Sequence, residues 1–155
     1  MSILAENKKA YYNYEILEKF EAGIVLIGQE VKSIRLGRIN LAGSYVVLKQ
    51  SPEGRHPEVF LIGANIPPYQ PKNAPTDYNP QRSRKLLLKK SEIKYLIGKV
   101  REKGLTLVPL RVYTKRKKIK LEFSIVKGKR KFDKREKIKK REIEKTIKRE
   151  LKMRG

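Results

Sequence analysis

The chain contains no cysteine and no tryptophan, a single histidine, His56, and only two aspartates, Asp77 and Asp133. Those counts exclude disulfides, zinc clusters and thiol nucleophiles. His56 lies beside Pro57 and Glu58 in a turn-rich stretch and reads as a surface residue, so Ser33, Ser44, Ser83 and Ser124 have no imidazole to activate them. There is no GxxxxGK[ST] and no GxGxxG, the glycine-rich strings that cradle phosphates. A two-metal nuclease needs clustered carboxylates, and two distant aspartates with scattered glutamates do not supply them. Glu21, Glu30 and Lys32 could in principle form an acid–base cluster, but fold-stabilising or RNA-positioning roles suit them better. No apolar run approaches the roughly 18 residues of a membrane span, and the N-terminus lacks a secretory pattern, so a cytoplasmic chain is expected. No enzyme, metal or cofactor is expected.

What the sequence does hold is positive charge. Its 155 residues suit one domain, or one domain with a tail, and carry 39 basic against 16 acidic side chains, a net charge of +23. Such an excess points to a polyanionic partner. Residues 127–155 contain 15 basic and 5 acidic residues but few aliphatics, too little apolar surface to offset the ordering entropy of the segment alone. Ile143, Ile147 and Leu151 recur at i, i+4, i+8, a thin helical stripe. The division expected is a barrel over 1–127 and a basic tail over 128–155, disordered when free and helical against a negative surface; a charged helix docked on its own body is the alternative.

The body shows core patterning. SEIKYLIGKVREKG, residues 91–104, predicts a helix with Ser91 as cap, Ile93, Leu96, Ile97 and Val100 on one face, and Gly104 at its end. Residues 28–37 predict a shorter helix burying Val31 and Ile34. Residues 44–50 and 58–65 predict a hairpin around SPEGRHP. A second hairpin is expected from TLVPLRVYTK and KIKLEFSIVKG, turning near 115–118, with Pro109 forcing an edge or a bulge. Residues 12–26 keep a period of two and favour one bent strand. The fold class expected is mainly β with α: an OB-like antiparallel six-stranded small barrel with two or three helices and a basic C-terminal tail. Residues 66–82 hold five of the eight prolines and form a loop. That loop feeds RSRKLLLKK, residues 82–90, readable either as a phosphate clamp seated by leucines or as a strand with a solvated basic edge.

These features fit a binding module whose affinity falls with salt. Small barrels suit structured or unstacked RNA, and no helix-turn-helix or zinc-finger spacing argues for DNA. The tail lacks the broad Trp/Phe/Leu face of a membrane-surface helix.

Four strings carry the reading further: FEAGIVLIGQEVKSIRLGRINLAGSYV (20–46), NPQRSRKLLL (79–88), GLTLVPLRVY (104–113) and GKRKFDKRE (128–136). In this order and spacing they resemble the small protein B family, the bacterial tmRNA-binding proteins of trans-translation. The resemblance implies a non-catalytic barrel that binds the tRNA-like domain of tmRNA. It implies partnership with elongation factor Tu and alanyl-tRNA synthetase through that RNA. It also implies delivery to the empty A site of stalled ribosomes, with the tail in the 16S rRNA decoding centre and vacant mRNA channel. Carried over by position, the RNA-binding set is Asn7, Glu21, Lys32, Arg35, Asn40, Arg84, Lys85 and Leu86. The decoding-centre set is Gly128, Lys131, Phe132, Asp133, Lys134, Arg135 and Leu151. Phe132 stands where the family shows Tyr or His, Gly43 and Asn79 stand where it shows Asp, and Asn65 where it shows His. The rival readings are a ribosomal-protein-like module held permanently on rRNA and, from another class, an RNA-processing enzyme.

Overall fold

A computed structural model describes residues 1–54, 56–73 and 77–129; the tail calls at Lys131, Phe132, Asp133, Lys134, Arg135 and Leu151 lie outside the described residues. In chain order the elements are β1 (Ser2–Glu6), α1 (Lys8–Asn13), β2 (Tyr14–Ile24), α2 (Gly28–Arg35), β3 (Tyr45–Gln50), β4 (Pro57–Ile62), a 3-10 turn (Pro71–Asn73), β5 (Arg84–Leu87), α3 (Lys90–Val100), β6 (Leu105–Lys115) and β7 (Lys118–Gly128). All strand pairs are antiparallel. Six strands form a ladder that returns to its start: β6 to β3, β4, β5, β2, β7 and back to β6. β1 adds a seventh strand, not anticipated from sequence, on the free part of the β6 edge.

The expected hairpins form, β3–β4 and β6–β7. The alternation in β7 puts Leu121, Phe123 and Ile125 inside the ring, where they meet Val59, Leu61, Leu86, Leu107 and Val112. Each fully buried side chain of this size contributes about 1.5–3 kcal/mol. Leu96 of α3 and Ile34 of α2 are fully buried in the same core, so the two helices plug the ring. α3 starts one residue earlier than expected, and the Lys89 amide, not Ser91, closes its first turn by donating to Glu92 Oε1 at 3.1 Å.

Residues 12–26 are not one strand. Tyr12 ends up in α1, and β2 carries a bulge between Ile16 and Glu18. The extra residue flips the side-chain phase. Ile16 therefore faces out while Phe20 and Ala22 face in. β6 does the same at Pro109, where the register shifts before Arg111, as the missing proline donor requires. Val108 and Leu110 thus join Val126 and Ala10 in a second small cluster on the outside, covered by α1.

That bulge gives Asn7 its work. Its side-chain amide donates to the Pro109 carbonyl at 2.9 Å and its backbone amide to the Leu110 carbonyl at 2.7 Å. Substituting Asn7 by Ala is expected to lower stability by about 1–3 kcal/mol, because a buried carbonyl loses its donor. A urea titration with unchanged m-value checks this; an unchanged midpoint would mean water replaces the amide.

Candidate nucleic-acid interface

Three of the predicted RNA-binding residues point inward. Asn7 is buried as described. β5 alternates buried, exposed, buried, exposed, so Arg84 and Leu86 lie inside and Lys85 and Leu87 outside. Arg84 is the largest correction to the sequence reading: it is no phosphate clamp, because it is fully buried and each of its three guanidinium nitrogens is hydrogen-bonded inside the protein. Nε and Nη2 donate to Glu30 Oε2 at 2.9 and 2.6 Å, Nη1 to the Ala64 carbonyl at 2.7 Å, and Nη2 also to the Pro80 carbonyl at 2.8 Å. Leu86 belongs to the core, and its exposed neighbour Leu87 is the leucine available to a partner.

Glu30, equally buried, organises this centre. Its Oε1 accepts from the Ile27 amide at 3.0 Å and from Arg82, and its Oε2 lies 3.2 Å from the Tyr78 hydroxyl, which donates to the Ile66 carbonyl at 2.8 Å. Burial pushes the carboxyl up, but the hydrogen bonds from Arg82, the Ile27 amide and Arg84 outweigh it and hold Glu30 below the usual glutamate value. Ser33 Oγ adds a 2.6 Å bond to the Pro67 carbonyl. The proline-rich loop is thereby fastened to α2 at both ends.

With Glu30, Ser33 and Ile34 turned inward, α2 presents Lys32 and Arg35 to solvent on one face, as their spacing of three requires. Arg35 Nη2 donates to the Lys117 carbonyl at 3.0 Å, which joins the helix to the tip of the β6–β7 hairpin. That tip is unusual. Its two turn residues, Arg116 (φ 52°) and Lys117 (φ 67°), occupy the left-handed region that two-residue hairpins normally fill with Asn-Gly. A cost of roughly 1–2 kcal/mol for each side chain there is accepted in return for four consecutive cations, Lys115–Lys118, at the tip. The run TKRKKIK was visible in the sequence, but only the turn geometry shows that its charges are displayed beside α2.

Two depressions flank α2. One, of about 370 Å³, is lined by Gly23, Val31, Arg35, Leu87, Lys118 and Lys120 among others. The other, of about 410 Å³, is lined by Gly28, Lys32, Tyr69 and Gln70, with Lys32 Nζ 5.5 Å from the Tyr69 ring centre. Neither lining contains a carboxylate. Gly23 lines the first beside Leu87, whose Cβ a Cβ at position 23 would meet at 3.4 Å. By contrast, a depression of about 480 Å³ beside the 51–57 loop sets Glu53 and Glu58 against Lys85 and Lys90, a balanced charge. The remaining sequence candidates sit apart or at the margin. Lys85 is exposed and 3.4 Å from Glu58. Asn40 is exposed and its Oδ1 accepts the Ala42 amide at 2.9 Å, steadying the turn at Gly43 (φ +74°) where the family Asp is missing. Asn79 likewise accepts the Gln81 amide at 2.9 Å, so the amide oxygen does there what a carboxylate would. Gly128 ends β7, exposed.

Glu21 is an exposed carboxylate at the margin of this surface. It is two residues from Gly23 on the same face of β2. The hydroxyl of Tyr113, a buried ring of β6, donates to its Oε2, and Lys115 Nζ lies 3.4 Å from both oxygens. The Tyr113 hydrogen bond outweighs the opposing effect of burial and, with help from Lys115, holds the Glu21 carboxyl below its usual value. Among the described residues no helix is long and apolar enough to cross a membrane, and no group of three His, Cys, Asp or Glu side chains is placed to hold a metal.

The comparisons with known proteins agree with one another. A family profile described as SmpB protein matches residues 4–153. The chain is similar to the SsrA-binding protein of a Sulfurihydrogenibium species, 51% identical with 97% of each chain covered. It is also similar to the SsrA-binding protein of Carboxydothermus hydrogenoformans, 49% identical over 98% of this chain and 97% of the other. A solved chain described as "tmRNA-SmpB: a journey to the center of the bacterial ribosome" aligns with a TM-score of 0.64 at 42% identity, covering 86% of this chain and 93% of that one. A match of this extent, on a strand-rich fold with a cationic surface beside α2, establishes that the chain belongs to the SmpB protein family.

Proposed function

We propose that this chain is the tmRNA-binding protein of trans-translation in its cell, a binding protein and not an enzyme, acting in the cytoplasm. The observation that carries the reading is the cationic surface built by α2, the β6–β7 tip and Leu87, with two flanking depressions whose linings hold no carboxylate. Cations there neutralise phosphates, while Leu87 and the ring of Tyr69 offer apolar contact to unstacked bases. The RNA face comprises Lys32, Arg35, Leu87, Lys118 and Lys120, with Glu21 at its margin, and recognises the tRNA-like elbow of tmRNA. Asn40 and Lys85 are peripheral contacts. Asn7, Arg84 and Leu86 support the face from inside.

The basic segment from Gly128 onward serves the ribosome. Lys131, Phe132, Asp133, Lys134 and Arg135 enter the 16S rRNA decoding centre, and Leu151 settles further along the vacant mRNA channel. Elongation factor Tu and alanyl-tRNA synthetase are met through the tmRNA they share.

The test is a salt series of binding to a tRNA-like elbow RNA, with duplex and unstructured RNA as competitors. The full chain is expected to prefer the elbow by more than about tenfold, roughly 1.4 kcal/mol. A variant with Lys131, Lys134 and Arg135 changed to Ala is expected to keep that preference while losing peptide tagging on a ribosome stalled by a truncated message. Absence of any elbow preference would sink the reading and favour a permanent rRNA-binding module instead.

A further inference from the structure

A lone carboxylate on a cationic surface is unstable in its orientation. Lysine side chains are long and mobile, and the nearest one captures it. Glu21 faces two: Lys115, at 3.4 Å from both oxygens, and Lys120, whose charge also bears on it. Held only by such flexible groups, the carboxylate would follow their movements and present no fixed acceptor edge.

The structure supplies a different holder. Tyr113 lies on β6, its backbone paired through Lys120 of β7 to Gly23 of β2, two residues beyond Glu21. The ring is only 2% exposed and is clamped by the Arg111 guanidinium at 5.2 Å from its centre. Arg111 is fixed in turn by Glu122 at 3.1 Å, the residue directly opposite Glu21 in the ladder. The hydroxyl therefore has almost no freedom, and it donates to Glu21 Oε2. A buried phenol gives the hydrogen bond without adding charge, and with Lys115 on both oxygens it leaves acceptor capacity on Oε1.

We infer that Tyr113 is a positioning residue: its hydroxyl fixes the Glu21 carboxylate, which Lys115 also contacts, so that a remaining acceptor site is aimed at a donor group of an unstacked RNA base. The inference rests on the reading of Glu21 as part of the RNA face. A carboxylate so oriented takes an N–H donor of a base edge, a contact that a phosphate, which has no N–H, cannot make. Glu21 thus contributes selectivity, and Tyr113 makes that selectivity possible without touching RNA.

The experiment uses the full chain and three variants, Tyr113→Phe, Glu21→Gln and the double, measured against elbow RNA and against a plain duplex. Tyr113→Phe keeps the ring and its packing and removes one oxygen. Elbow affinity is expected to fall about tenfold in each single variant, duplex affinity to stay within twofold, and the double to be no weaker than Glu21→Gln alone. Glu21→Asp, which keeps the charge but withdraws it from the hydroxyl, is expected to lose as much as Tyr113→Phe. A merely structural role for Tyr113 would lower elbow and duplex binding together and would add to Glu21→Gln in the double; either result overturns the inference. If Glu21→Gln binds the elbow normally, the RNA role of Glu21 falls, and the positioning role with it. If Glu21→Gln loses affinity while Tyr113→Phe does not, the RNA role stands and the positioning role is wrong. Should Tyr113→Phe not fold, the Glu21→Asp arm decides, and wild-type elbow affinity there overturns the inference.

Discussion

Replacing Arg84 by Met is expected to lower the unfolding free energy by about 3–5 kcal/mol, the usual consequence of removing one partner of a buried ion pair. The loss has named parts. Glu30 would keep its charge in a fully buried site with only Arg82, the Ile27 amide and the Tyr78 hydroxyl beside it; the Ala64 carbonyl would lose the Arg84 donor, and the Pro80 carbonyl would keep only the Ile66 amide. Restoring neutrality with Glu30→Leu in the same chain is expected to return part of that stability, but not the share due to the two carbonyls. Urea midpoints at constant m-value measure both steps. Acid supplies an independent arm. A glutamate held below its unfolded value stabilises the fold above that value, near 4.5, and the contribution disappears as pH falls through the depressed folded value. The wild type should therefore lose stability on acidification below about pH 4.5, and the gap between it and the double variant should narrow. A gap that stays constant from pH 7 to pH 3 would mean that the pair contributes nothing through ionisation. RNA affinity measured on the folded fraction should change little, since none of these side chains reaches the surface depressions beside α2.

The second large effect concerns affinity. Changing Lys32, Arg35, Lys118 and Lys120 together to Ala is expected to weaken elbow-RNA binding by about 10²–10³ near 0.15 M salt, and to make the slope of log affinity against log salt shallower by roughly three. These four side chains are solvent-facing or half-buried, and surface changes of this kind typically alter stability within about 0.5 kcal/mol each. The comparison that gives the result meaning removes the same charge elsewhere. Lys8, Lys9, Lys94 and Lys103 are also exposed, on α1, on α3 and just after it. Their combined replacement lowers the net charge by the same four units, yet it should cost less than tenfold. Equal losses from both sets would show that total charge, and not this face, governs binding.

The sequence by itself settled the function class and most of the architecture. Missing cysteine, scarce aspartate and a net charge of +23 are counts that folding cannot change. The alternation of β7, the helix stripe around Leu96 and the proline-dense loop are local patterns whose physical causes act within a few residues. Pro109 announced its bulge because a missing N–H is a property of the residue. What lay beyond the sequence was anything decided by which face a strand turns inward. The phase flip in β2 depends on an extra residue between Ile16 and Glu18 that leaves no local mark. In RKLLL, a basic run reads the same whether its first residue faces water or the core. Only the pairing of β5 between β4 and β2 turns Arg84 toward Glu30, a residue 54 positions earlier, and leaves Leu87 outside. Tyr113 and Glu21 are separated by 92 residues and meet through the β2–β7–β6 ladder alone. Residue type and local period are written along the chain; sidedness and long-range partnership come from the register of the closed ladder.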